Sequence, residues 1–182
     1  MPAAFLPSDH AVLQYFEKDC LVYNQLPHQL ATRKDIIVGA LTHNGSLINN
    51  VLTNLLQAET LQSYYDKYEQ LDEYGTVDEL MADLEEYMLL AVRSYPKAVE
   101  CVWRWSKYDQ AALLAKMVRI NGQAIRHVTP DQRTPRLVIL AMPTFKNAKN
   151  YAVGKLRSQI HSMRDFDTHA DVLARLHELY PD

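Results

Sequence analysis

The segment Ile37–Val51 returns at Leu114–Val128, and this recurrence limits the possible folds more than any other feature of the chain. At an offset of 77 residues the apolar positions coincide, and so do the Asn44-Gly45 pair with Asn121-Gly122 and the closing Val51 with Val128. Met88–Val102 fits at an offset of 51, with Tyr95-Pro96 in place of Asn-Gly, and Val138–Ala152 fits more loosely at an offset of 101. The steps between these segments are 26 and 24 residues, and 51 is about two such steps. Each unit reads as a helix, a tight break and a shorter helix, near 25 residues long. One such unit cannot bury its own apolar face, so a chain built this way stacks its units. With only 5 glycines in 182 residues, the chain lacks the tight turns that a β-rich barrel or sandwich needs.

Helix signals follow one another along the chain. Val12, Tyr15, Phe16 and Tyr23 share one face of an expected first helix from Asp9 to about Tyr23, and Pro27 follows it. Thr32 and Asp35 have the spacing of a capping box, which predicts the start of a helix carrying Ile36, Ile37, Ala40 and Leu41. Asn44-Gly45 is expected to close it through a left-handed glycine. A second helix then carries Leu47, Ile48, Val51, Leu52, Leu55 and Leu56. Tyrosine-rich residues 59–74 keep a helical stripe up to Gly75, and Thr76 with Glu79 opens a long helix through Leu80, Leu84, Met88 and Val92. The next helix begins at Ser106 or Asp109 and ends near Asn121-Gly122. Thr134-Pro135 starts another, since proline at the first helical position forfeits no needed hydrogen bond. Thr168 caps a last helix that points Val172, Leu173, Leu176 and Leu179 inward.

Ala40-Leu41-Thr42-His43-Asn44-Gly45-Ser46-Leu47 and Val118-Arg119-Ile120-Asn121-Gly122-Gln123-Ala124 carry a resemblance. Over residues 32–153 the pattern resembles a bacterial family of tandem helical repeats of unknown function, found in proteins that include secreted effectors of intracellular pathogens. The copy expected over the acidic tyrosine stretch is missing or degenerate, and Phe145-Lys146 replaces Asn-Gly. That family assigns no catalytic residues, so none carries over. The expected fold is all-α, with stacked helical hairpins in a short α-solenoid-like array of about 25-residue units. Residues 1–31 form an N-terminal helix and linker, 32–164 the repeat region with an acidic insert at 59–86, and 165–182 a capping helix, together one compact domain. Such arrays present extended surfaces used for binding rather than deep pockets with converging polar groups.

The formal net charge of −3 conceals a sorting of charge along the chain. Residues 59–86 hold 10 acidic side chains and 1 basic, whereas residues 87–164 hold 14 basic and 3 acidic, a local net of +11. The basic stretch can draw an anionic partner, or the two faces can neutralise each other within the fold. Arg93 and Arg119 occupy one repeat position, and Lys107, Arg133 and Arg157 another, so stacking would line them up as ladders. Trp103-Arg104-Trp105 lies beside them, and aromatic residues next to arginine are typical of interface hot spots and of base stacking. One of Trp103 and Trp105 is expected in the core, because residues two apart on a helix face different ways. The partner-binding candidates are thus Arg93, Trp103, Arg104, Trp105, Lys107, Arg119, Arg133 and Arg157. The expected function is non-catalytic binding of a partner protein with an acidic surface, as adaptor, inhibitor or effector. Nucleic acid or an anionic membrane surface is the competing ligand, weakened by the pI of 6.1 and the lack of a known nucleic-acid module.

No metal, cofactor or catalytic residue is assigned. The seven histidines, His10, His28, His43, His127, His161, His169 and His177, show no zinc spacing. Asp165–Asp171 resembles the start of a calcium loop, but Ala170 and Leu176 stand where glycine and glutamate are required, so the acids read as a helix start. Phosphate-binding glycine loops and nucleophile elbows are missing; an enzyme with a site assembled from distant residues is the third reading. Cys20 and Cys101 fit no metal or redox spacing and read as buried thiols. Met1–His10 lacks the pattern of a cleaved signal, and no apolar run approaches the ~20 residues of a membrane span. A cytoplasmic protein is expected, with delivery into a host cell by a specialised secretion system as the alternative implied by the resemblance. Oligomeric state is left open.

Overall fold

Quartets of apolar residues at i, i+1, i+4 and i+5 recur along this chain, and four of them, in one repeat register, each build a helix with one buried face. The computed structural model describes Val12, Phe16 and residues 19–55, 77–104, 110–163 and 169–181, with backbone alone for Cys20, residues 77–80 and residues 103–104. Every element among these residues is helical, and the fold is all-α. The α-helices are α1 (His28–Ala31), α2 (Lys34–His43), α3 (Ile48–Leu55), α4 (Val77–Ser94), α5 (Gln110–Ile120), α6 (Pro135–Ala141), α7 (Gly154–Ser162) and α8 (His169–Leu179). Between them lie 3-10 turns at Cys20–Gln25, Gly45–Leu47, Pro96–Arg104, Gly122–His127, Pro130–Gln132 and Lys146–Tyr151. The chain divides into two compact units, Met1–Tyr95 and Pro96–Asp182.

In the first unit, α2 packs on α4 through Ile36, Ile37, Ala40 and Leu41 on one side and Leu84, Tyr87, Met88, Ala91 and Val92 on the other, all buried. The expected first helix does not run to Tyr23. Asp19 adopts an extended conformation and its carboxylate accepts from the Leu21 N–H, starting a separate 3-10 turn. Tyr23 is nonetheless buried, packing beside Phe16 and donating to the Ala31 carbonyl at 2.6 Å. The expected capping box at Thr32 is also absent. Pro27 opens the short α1, and the Thr32 hydroxyl turns back to the His28 carbonyl at 3.0 Å to close it. Asp35 instead pairs with Arg33.

The Asn44-Gly45 break ends α2 as expected, by different means. Gly45 does not adopt a left-handed conformation; Gly154 alone does among the described residues. Asn44 is extended, and its side-chain oxygen accepts from the Ser46 N–H at 3.0 Å, capping the next turn. Glycine is required at 45 by proximity. A Cβ there would lie 2.1 Å from the Ala91 carbonyl oxygen, and the Gly45 N–H donates to the Ser94 hydroxyl at 3.0 Å.

The second unit repeats these contacts. Asn121 caps the turn after α5 by accepting from the Gln123 N–H at 3.1 Å. A Cβ on Gly122 would lie 2.2 Å from the Ala141 carbonyl oxygen, and its N–H donates to the Thr144 hydroxyl at 2.8 Å. Burial keeps the same register throughout. Ile36, Ile37, Ala40 and Leu41 correspond to Tyr87, Met88, Ala91 and Val92, to Leu113, Leu114, Met117 and Val118, and to Leu137, Val138, Ala141 and Met142, and all are buried. The second half of the first segment is a short helix as expected, α3, but in the three later segments it is 3-10. Its buried residues fall three apart, as Ala98 with Cys101, Val99 with Val102, and Ile125 with Val128, which is the spacing that a three-residue turn lines up. Thr134 and Pro135 start α6 as expected, the Thr134 hydroxyl accepting from the Leu137 N–H. Leu176 of α8 is buried and Val172 and Leu173 half-buried, but Leu179, in the last turn before Pro181, is 40% exposed rather than inward.

The acidic insert lies mostly outside the described residues. Asp83 and Glu86, on α4, both reach Lys34 of α2, at 2.5 and 3.0 Å. These carboxylates therefore pair within the first unit.

Candidate binding face

From residue 110 to 163 the sequence holds nine basic side chains and one acidic, Asp131. All nine are exposed or half-buried. Such a concentration of one sign on a segment this short projects a positive field toward an approaching partner.

Within it, the turn Lys146–Tyr151 brings two rings against two arginines. Phe145 stands where two of the other breaks have Asn44 and Asn121, and no side chain caps the turn that follows it. Its half-buried ring instead lies 6.2 Å from that of Tyr151. Arg126, exposed on the turn Gly122–His127, lays its guanidinium 5.5 Å from the Phe145 ring centre and donates from Nε to the Tyr151 hydroxyl at 3.0 Å. Arg133 lies 5.2 Å from the Tyr151 ring centre, donates from Nε to the Val128 carbonyl at 2.8 Å and reaches the Arg126 carbonyl with Nη2 at 3.4 Å. Cation–π contacts at such partly wet sites contribute about 0.5–1 kcal/mol each. Here they also hold two long side chains in one arrangement, lowering the ordering cost of about 0.5–1.5 kcal/mol per side chain that binding would otherwise impose.

The candidate residues read from the sequence are distributed as follows. Arg133 belongs to this cluster and is partly consumed by its bonds to the backbone. Arg119, in the last turn of α5, and Arg157, on α7, are exposed in the same unit, and no contact described here ties them to the cluster. Arg93 is exposed at the end of α4 in the first unit. The side chains of Trp103 and Arg104, and all of Trp105 and Lys107, lie outside the described residues. Arg126, Phe145 and Tyr151 were missed. A signal for them existed: Arg126 and Tyr151 are 25 residues apart, one repeat step, and Phe145 marks the one described break where the cap residue becomes a bare hydrocarbon ring.

Chemistry elsewhere is sparse. Among the described residues no three His, Cys, Asp or Glu side chains come together as a metal site. His127 pairs with Glu100 at 3.3 Å, and His169 holds the Met142 carbonyl at 3.0 Å. Cys101 is buried. Burial pushes the Tyr23 phenol up to about 12, against a smaller opposing effect of the Asn54 amide. Asp83 and Glu86 raise the Lys34 ammonium above its ordinary range. No described helix is long and apolar enough to cross a membrane. Comparison with protein-family models, curated proteins and solved structures finds no match to this chain.

Proposed function

We propose that this chain is a tandem helical-repeat protein that binds a partner protein through the basic, aromatic-studded surface of residues 110–163. The observation that carries the reading is the pair of arginines held against Phe145 and Tyr151 within a region of nine positive charges and one negative. Arginine and aromatic side chains in fixed positions are the groups from which interface hot spots are made. The common burial register and the two Asn-Gly junctions with matching contacts support the repeat reading. On the resemblance carried by Asn44-Gly45 and Asn121-Gly122, the role is that of an adaptor, inhibitor or effector acting in a cytoplasm, its own or a host's.

Affinity capture from bacterial and host lysates tests the proposal, with and without nuclease and at low and moderate salt. The wild-type chain is compared with a variant carrying Arg119→Glu, Lys149→Glu and Arg157→Glu, three exposed positions. A protein partner retained by the wild type and lost by the variant, at unchanged helical circular dichroism, is the expected result. Equal capture by both overturns the face. Recovery that collapses with nuclease and salt assigns the surface to nucleic acid, because phosphate contacts release counterions.

A further inference from the structure

Resting on that reading, we infer that Arg126 and Arg133 form a carboxylate-recognition site for an acidic peptide segment of the partner. Each arginine is fixed through its Nε–H, Arg126 by the Tyr151 hydroxyl and Arg133 by the Val128 carbonyl. Anchoring at Nε leaves the Nη1–Nη2 edge of Arg126, and Nη1 of Arg133, for a ligand. Those are the donors that engage a carboxylate in paired hydrogen bonds, which are stronger than neutral ones. Both side chains address the same tyrosine, one at its hydroxyl and the other at its ring face, so the Arg126 fork and the Arg133 Nη1 belong to one cluster. Lys146 and Lys149, exposed and three residues apart on the 3-10 turn that carries Tyr151, line up with each other and add positive charge to that turn.

The same geometry separates a peptide from a nucleic acid. Single-stranded nucleic acid is held by bases stacking on open aromatic faces. Here Arg126 occupies a face of Phe145 and Arg133 a face of Tyr151, so the rings serve the arginines first. A ligand therefore meets guanidinium edges rather than ring faces, and planar carboxylates suit those edges.

Fluorescence anisotropy of the full chain tests this with two probes of equal charge, a labelled oligoglutamate and a labelled oligothymidylate, at one ionic strength. The oligoglutamate is expected to bind more tightly. Arg126→Gln should weaken it by about tenfold or more, Arg126→Lys nearly as much because lysine lacks the fork, and Tyr151→Phe by a few fold. Arg175→Gln, an exposed charge outside residues 110–163, should change it less than about twofold. Wild-type affinity in Arg126→Lys overturns the site, since a point charge would then suffice, and tighter binding of the oligothymidylate overturns it in favour of phosphate. If captured protein still depends on Arg119, Lys149 and Arg157 while oligoglutamate is indifferent to Arg126, the carboxylate site alone fails. If neither dependence appears, the binding face fails with it.

Discussion

Replacing Gly122 with alanine tests the packing argument most directly. The new Cβ would sit 2.2 Å from the Ala141 carbonyl oxygen, 2.7 Å from the Thr144 hydroxyl and 2.8 Å from the Phe145 Cβ. Carbon and carbonyl oxygen rest about 3.3 Å apart at closest, so the end of α6 must retreat by about 1 Å. The Thr144 hydroxyl can rotate aside, but the Ala141 carbonyl cannot, because it accepts from the Phe145 N–H at 2.9 Å. A retreat of that size also stretches the 2.8 Å bond from the Gly122 N–H to Thr144 beyond useful range. Overpacking costs about 1–3 kcal/mol and the lost hydrogen bond about 1 kcal/mol, so Gly122→Ala should cost about 3 kcal/mol. Gly154→Ala is the internal control. Gly154 has φ +53° with nothing within 4 Å of a Cβ, so alanine there meets only the left-handed penalty of about 1 kcal/mol. Urea unfolding followed by circular dichroism, at constant slope, measures both. If Gly122→Ala costs no more than Gly154→Ala, close approach is not why glycine stands at the break.

Other expectations follow from single contacts. Asn121→Ala removes the acceptor for the Gln123 N–H and should cost about 1 kcal/mol, read as a lower urea midpoint. Thr144→Val leaves the Gly122 N–H without its acceptor and should cost about 1 kcal/mol, whereas Thr144→Ser, which keeps the hydroxyl, should cost less than half of that. Tyr23 sets a pH dependence: its folded pKa of about 12 lies above the ordinary 10.0. Unfolded chains therefore lose this proton first, and stability fully present below pH 10 is lost as pH rises through 12, by about 3 kcal/mol in all. The difference in urea midpoint between wild type and Tyr23→Phe across that range should carry this slope, and a flat difference refutes it. Lys34→Met should cost no more than about 1 kcal/mol despite two carboxylate partners, because the ammonium is half in water.

The sequence showed plainly what depends on local chemistry. Apolar periodicity placed the buried quartets, and Pro135 with Thr134 placed the start of α6. It misled where the deciding atom lies far along the chain. Gly45 looks like a left-handed helix stop, but it is glycine because Ala91, 46 residues later, brings a carbonyl oxygen against it. Thr32 has the spacing of a cap, yet its hydroxyl is committed to the turn before it, which Pro27 had already started. The basic stretch was legible as charge. Which arginines are held by rings was not, because Arg126 meets Phe145 and Tyr151 only after the intervening α6 has folded back.

The two glycine junctions suggest how the variation between segments is constrained. Gly45 donates to Ser94, and Gly122 donates to Thr144, so each break supplies an N–H and each later helix end supplies a hydroxyl. At the break Tyr95-Pro96 the donor is gone, since proline has no N–H. In the same register, the position held by Ser94 and Thr144 is occupied at that step by Ile120, which has no hydroxyl. Donor and acceptor are missing together. A hydroxyl facing a proline would gain nothing, and a glycine N–H facing isoleucine would lose its acceptor. The unit to be exchanged in such an array is therefore the pair of break residue and following helix end, and either change made alone should cost more than both together.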